Sequence, residues 1–527
     1  MVRRPFLRRD AMTTPAPAAP APSETAGVQF PRTADGRRSS TETTKEVFAA
    51  ALAAASPEAA AALLAERQWR QRYPRYLREL TERSLAHPEH ALATARAGLS
   101  RAWERFEFWR EGRPQPLRAA MAAPAPGAFR TAVVEGRNRG ELPRWEVPYR
   151  GARLSGDALL RQLEAWERAG VVEPSHAEAL RLVQRNPAWL DLSDRTFALL
   201  GAGAEAGPFA WLVRWRATVA AVDLARPPLW ARLVALAREG NGRLLAPLAA
   251  GDLPGVGLTD ADAWAPHAGA DLMTETPEVA AWLASLDVAL DVASLAYLDG
   301  ERHARVSVAM DAVATQLAGA RAGTSLQYMA TPTDLFAVPE EVARAAQEAF
   351  AGRAALKRLS QAGARGLSAG RLFQPGAGAL VTSSTGRRYG TVDCIVVEQG
   401  PSYALAKRLQ QWRAVAARAE GRVVSINVAP SSATRSVTKN PLLAAGFRGA
   451  HLFGVEVFQP ETTNALMAAL WVHDLRNPAS VAQPATPLEH PLELLMRGAN
   501  HGGMWRMPYL PRSVLPLAAL VGLAKRS

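Results

Sequence analysis

The sequence predicts an α/β protein with a doubly wound parallel sheet, preceded by a helical N-terminal region and a disordered N-terminal tail. Three observations carry that expectation. From Leu192 onward, short apolar runs alternate with helical segments, as a parallel sheet requires when each strand is followed by a crossover. The first of these runs, residues 195–200, stops in Gly201, Gly203 and Gly207, and the second, 217–222, stops in Asp223. Residues 45–113 instead read as helix, rich in Ala, Leu, Glu and Arg and nearly free of glycine.

Taken in order, residues 1–44 alternate Pro and Ala and then turn polar, so they bury too little apolar surface to offset ordering entropy. Their arginine-rich start, Arg3-Arg4 to Arg8-Arg9, lacks the apolar run of an export signal; organelle targeting stays open. Residues 45–150 form a helical region plus linker. Ser56-Pro57-Glu58 reads as a helix N-terminus, and aromatics at 69–76 and 103–109 suit helix packing. The linker, 114–150, holds one short strand at 131–134. Residues 151–480 form the domain that holds the parallel sheet, with helices at 155–170 and 175–184, later strand-like runs at 289–298, 324–330, 422–428 and 454–458, and an insertion at about 338–400. Residues 481–527 form a C-terminal extension.

Composition narrows the function classes. The formal net charge is +13 over 527 residues, but the arginines are spread and mixed with acids, so we expect no specific nucleic-acid partner. A single cysteine, Cys394, excludes an intrachain disulfide and a thiolate metal cluster, and the nine histidines show no paired-ligand spacing, so no metal site is expected. No run reaches about 18 apolar residues. The best, 514–524, is short and holds Pro516. A cytoplasmic protein without a transmembrane segment is the expectation.

The chemistry lies in two motifs. A strand ending in glycines lets the backbone turn sharply and brings amides and a helix N-terminus to a phosphate. Asp223, 22 residues past Gly201, stands where a carboxylate would accept ribose hydroxyls. Nicotinamide dinucleotides and S-adenosylmethionine both use that arrangement. Tyr403 and Lys407 then fall one helical turn apart, where an ammonium would draw the phenol pKa down toward that of a proton donor working near neutrality. A helix and the strand Arg422-Val423-Val-Ser-Ile-Asn427-Val428-Ala429-Pro430 follow.

With Tyr403, Lys407 and the run from Arg422 to Pro430, with Thr434 beyond, the chain resembles the short-chain dehydrogenase/reductase superfamily over roughly residues 194–440. The resemblance implies a Rossmann-like domain binding NAD or NADP and hydride transfer on a small carbonyl or alcohol substrate. It implies Tyr403 as proton donor, Lys407 as its modulator, and Pro430 to Thr434 beside the nicotinamide. Gly201, Gly203, Gly207 and Asp223 would bind the rest of the dinucleotide, with Asp271 near the adenine. Asp223 favours NAD, and Arg226 favours NADP. The family's serine falls near Tyr389-Gly390, where there is none; Ser383 is the assigned substitute, with Ser384, Thr331 and Thr333 as alternatives. The family's Asn-Asn-Ala-Gly signature is absent, with Tyr297-Leu-Asp-Gly300 in its place. A methyltransferase and a non-catalytic Rossmann-fold scaffold are the rival readings, and the chain has room for a homo-oligomer contact. Cys394 reads as a buried small hydrophobe, and the loop Asn500-His501-Gly502-Gly503 as a structural feature bordering a site.

Overall fold

Seven strands make the central sheet: β1 Phe129–Glu135, β2 Thr196–Leu200, β3 Thr218–Val222, β4 Arg243–Ala249, β5 Asp291–Ser294, β6 Ser325–Ala330 and β7 Val424–Val428. The computed structural model describes residues 26–123, 125–138, 140–251, 257–258, 260–396 and 399–524. Across the sheet the order is β7-β6-β5-β2-β3-β4-β1, and every pair is parallel except β4 with β1. The parallel part therefore starts in the middle at β2, winds outward through β3 and β4, then resumes on the other side of β2 with β5, β6 and β7. The winding reverses between β2 and β5. At such a point the connections leaving the two strands run to opposite faces of the sheet.

The principal helices are α1 Ser40–Ala53, α2 Pro57–Ala65, α3 Trp69–Ala86, α4 Pro88–Arg105, α5 Gly156–Arg168, α6 Pro174–Arg185, α7 Pro227–Glu239, α8 Glu301–Ala320, α9 Ala355–Leu367, α10 Gly400–Ala419, α11 Pro441–Gly449, α12 Pro460–Arg476 and α13 Pro511–Ala524. Successive strand side chains point to opposite faces, so both faces of a parallel sheet need cover. Ala198, Leu200, Val292, Leu326 and Ile426 enter one core with α8, α10 and the N-terminal helices. Phe197, Leu199, Val219 and Leu244 enter the other with α5, α6, α7 and α12.

Several expectations change. The tail was expected to run to residue 44, yet Gly27–Gln29 pairs antiparallel with Glu107, Phe108 and Trp109, and α1 begins at Ser40, capped by Ser39. Arg305 donates to the Val28 carbonyl (2.8 Å), and a Cβ on Gly27 would stand 2.0 Å from the Met273 carbonyl oxygen. A local composition argument cannot see an edge supplied by residues eighty positions away. Residues 1–25, with the arginine-rich start, lie outside the described residues.

The linker at 114–150 is structured as well. Its short strand is β1, seven residues long and antiparallel to β4 at the sheet edge. The run at 454–458 forms no strand: it follows a 3-10 turn and contributes only a bridge from Phe458 to Ser432. The insertion falls close to where it was expected, between β6 and α10. It carries α9 and a small antiparallel sheet in which Arg388–Asp393 lies between Leu335–Pro339 and Val381–Thr382. The C-terminal extension is part of the body, since Asn500, His501 and Trp505 are fully buried and the Asn500 amide bonds the Val428 carbonyl at the end of β7 (2.9 Å).

Candidate functional site at the carboxyl edge of the sheet

The glycine turn leaves β2 at the point where the winding reverses. Gly201 has φ +101°, and a Cβ there would lie 2.4 Å from the Ala296 amide nitrogen, so only glycine lets the ends of β2 and β5 meet this closely. Asp223, at the end of β3, accepts from the Gly203 amide (2.8 Å) and from the Leu224 amide (2.8 Å). Burial holds its carboxyl above the usual range, with the two amides and nearby Arg226 and Arg232 pulling the other way. Gly207 is buried beside Ala204, and the helix that follows, Phe209–Arg214, has only six residues. Asp271 lies near Asp223, because the Ala270 amide donates to the Asp223 carbonyl (2.8 Å); its own carboxylate accepts from the Met273 amide (2.9 Å).

The second cluster forms beyond β5 and β6. α10 starts at Gly400 and presents Tyr403 and Lys407 one turn apart; the ammonium lies 5.6 Å from the centre of the phenol ring. Thr331 and Thr333, just past the end of β6, flank the Tyr403 phenol, as does Gln399. The two threonine hydroxyls are 2.9 Å apart. His303, near the start of α8, stacks on Tyr403 with ring centres 5.2 Å apart, and Tyr297 leans on both rings. His303 is fully buried with both ring nitrogens unpartnered, whereas Tyr297 is 46% exposed at the rim.

Electrostatics departs from the expectation in one respect. Lys407 was expected to lower the phenol pKa, yet burial pushes Tyr403 up to about 12 despite the opposing pull of the Thr331 and Thr333 side chains. Lys407 is itself brought down to about 8 by burial, partly countered by the charge of Asp334. Asp334 is fixed by Arg408 (3.1 Å) and Gln411 (2.8 Å), both on α10. Burial also pushes His303 well below its ordinary value, so its imidazole is neutral.

The remaining assigned residues divide. Pro430 and Thr434 stand in the loop after β7. That loop crosses to the glycine turn, where Glu205 accepts the Arg435 amide (2.7 Å) and pairs with its guanidinium. Ser383 does not join the phenol. It begins the turn at the far end of the inserted sheet, bonded through its amide to the Arg387 carbonyl (2.8 Å), whereas Asp334 and α10 meet at the other end. The threonines at the end of β6 hold the position assigned to it. His303, Asp334 and Gln399 were not anticipated. A lone histidine in a helix carries no local signal, and its stacking on Tyr403 exists only once α8 and α10 lie side by side. Cys394 is buried beyond the inserted strand, its thiol pushed well up by burial. His501 donates through Nε2 to the buried Glu173 carboxylate (2.9 Å) and stacks on Trp505, consistent with a structural role.

Comparison of the chain with family models, with curated proteins and with solved structures returned no match.

Proposed function

We propose that this protein is an NAD(P)-dependent oxidoreductase acting on a carbonyl/alcohol pair at the carboxyl edge of its sheet. The observation that carries the reading is the Tyr403 phenol, set beside Thr331 and Thr333 at the end of β6 with Lys407 one turn behind it. The strand order supports it too, being that of Rossmann-type sheets, which take dinucleotides where the winding reverses. Gly201 to Gly207, Asp223 and the loop from Pro430 to Thr434 would hold NAD or NADP. Arg226 and Arg232 stand beside Asp223, where they would offset phosphate charge, and the orphaned His303 nitrogens are polar atoms left for a bound group to meet.

Bound there, the dinucleotide would supply or accept the hydride. The chain's own part is proton transfer. With its pKa near 12, Tyr403 rests protonated at neutral pH and can donate its proton to a carbonyl oxygen. The threonine hydroxyls then stabilise the phenolate by hydrogen bonding, and Lys407, when protonated, adds a positive charge nearby. This favours reduction of a carbonyl over oxidation of an alcohol.

Ligand-dependent melting tests the reading. NAD(H) or NADP(H) should raise the melting temperature, and S-adenosylmethionine should not. Tyr403→Phe should cut turnover by about a hundredfold or more and leave that shift intact. A second reading, a scaffold without catalysis, is favoured by one observation: both Asp223 oxygens already serve backbone amides. It predicts no shift with any of these nucleotides.

A further inference from the structure

An ordinary surface helix docks its apolar stripe and shows its polar face to water. α9 does the reverse. Leu356, Leu359 and Leu367 recur at helical spacing on one side, and they are 80%, 73% and 94% exposed. The side turned to the body carries Gln361, whose amide donates to the Tyr509 hydroxyl (2.7 Å) and whose oxygen accepts from Arg353 (2.6 Å). Gln361 is the docked side chain, and the leucines face out.

The surroundings extend the same surface. Tyr509 also packs on Phe453, just beyond α11, and stands just before α13. α11 and α13 lie against each other through glycine: a Cβ on Gly522 would stand 1.9 Å from the Ala445 carbonyl oxygen, and one on Gly449 2.0 Å from that of Ala518. This pair exposes Leu442 on one helix and Leu520 and Leu523 on the other, with Leu452 beside them. Residues 351–378, 430–455 and 506–527 contain no aspartate or glutamate. Residues 351–378 contribute five basic side chains, of which Lys357, Arg358, Arg365 and Arg371 are exposed.

We propose that this face, centred on α9 and continued by α11 and α13, seats the protein on an anionic lipid surface. Outward leucines enter the boundary between headgroups and acyl chains, while long basic side chains reach the phosphates. The charge pattern selects the occupant. A second copy related by a two-fold axis would set like charges against like. A nucleic acid would be met by aromatic stacking partners, and this face offers leucines instead. No helix among the described residues is long and apolar enough to cross a membrane, so the contact is peripheral.

The test mixes the full-length chain with phosphatidylcholine vesicles, with or without phosphatidylglycerol, and sediments them. The chain should follow only the vesicles containing phosphatidylglycerol, and added salt should release it. Lys357→Glu with Arg358→Glu should weaken partitioning by about thirtyfold or more. Leu356→Ser with Leu359→Ser should weaken it by about tenfold, with melting unchanged because these side chains face solvent. The proposal fails if the chain ignores anionic vesicles, binds neutral ones equally well, or is indifferent to the charge reversal. It also fails if, without vesicle binding, the same variants abolish dimerisation or the capture of a labelled oligonucleotide. Should the leucine variant not fold, the charge-reversed variant decides alone.

Discussion

Lys407 shows what burial does to one side chain and gives a measurable consequence. Its folded pKa of about 8 lies below the 10.5 of a free lysine. Below pH 8 both folded and unfolded chains hold the proton, and folding carries a constant penalty. Between about 8 and 10.5 the unfolded chain still holds a proton that the folded chain has released, so stability should rise with pH across that window. Denaturant titrations at pH 8 and 10 check this: Lys407→Met should lose that component of the rise. An unchanged slope in the variant would assign the lysine an ordinary pKa. Tyr403 is a separate matter at this scale, because its proton stays in place throughout the neutral range and only a substrate oxygen or strong base would take it.

Between elements, α4 meets α10 on the first face through a glycine. A Cβ on Gly98 would come 2.4 Å from the Trp412 ring, so the helices can be this close only with glycine at that position. The contact is reinforced by Asp311 of α8, which accepts from the Trp103 indole (2.7 Å) and from Arg413 (2.6 Å and 2.9 Å). Gly98→Val should therefore destabilise the fold by about 1–3 kcal/mol, the usual cost of overpacking. Because α10 also carries Tyr403, the same substitution should lower turnover more than Gly112→Val, at a glycine with open space around it but a φ of +75°, which provides a strained surface control.

At the scale of the molecule, the C-terminal extension is joined to the second face through Glu173. This carboxylate accepts from Arg506 (3.0 Å and 2.7 Å) and bonds His501 (2.9 Å). Burial alone would raise its pKa, but these partners outweigh it and hold it at about 2. The stabilisation is thus present above the ordinary glutamate range and fades as pH falls from about 4.5 toward 2. Glu173→Gln should cost about 3 kcal/mol at neutral pH, the low end for breaking a buried pair, since Arg506 keeps 26% exposure. Chemical denaturation reads the loss directly, and a change below about 0.5 kcal/mol would mean the extension is held by packing alone.

What the sequence by itself determined is what short-range chemistry encodes. The alternation of apolar runs and helices gave the parallel strands; the glycines after β2 marked a sharp turn; Tyr403 and Lys407 shared a helix face because four residues make one turn. Tertiary structure decided which strands neighbour one another, and hence that the winding reverses beside Gly201. It also decided that Thr331 and Thr333, not Ser383, lie beside the phenol, that His303 stacks on it, and that residues 27–29 are held by an edge formed from residues 107–109. Each of these depends on groups far apart in the chain, and the phenol pKa moved up because burial, a property of the assembled core, outweighed the lysine a single turn away.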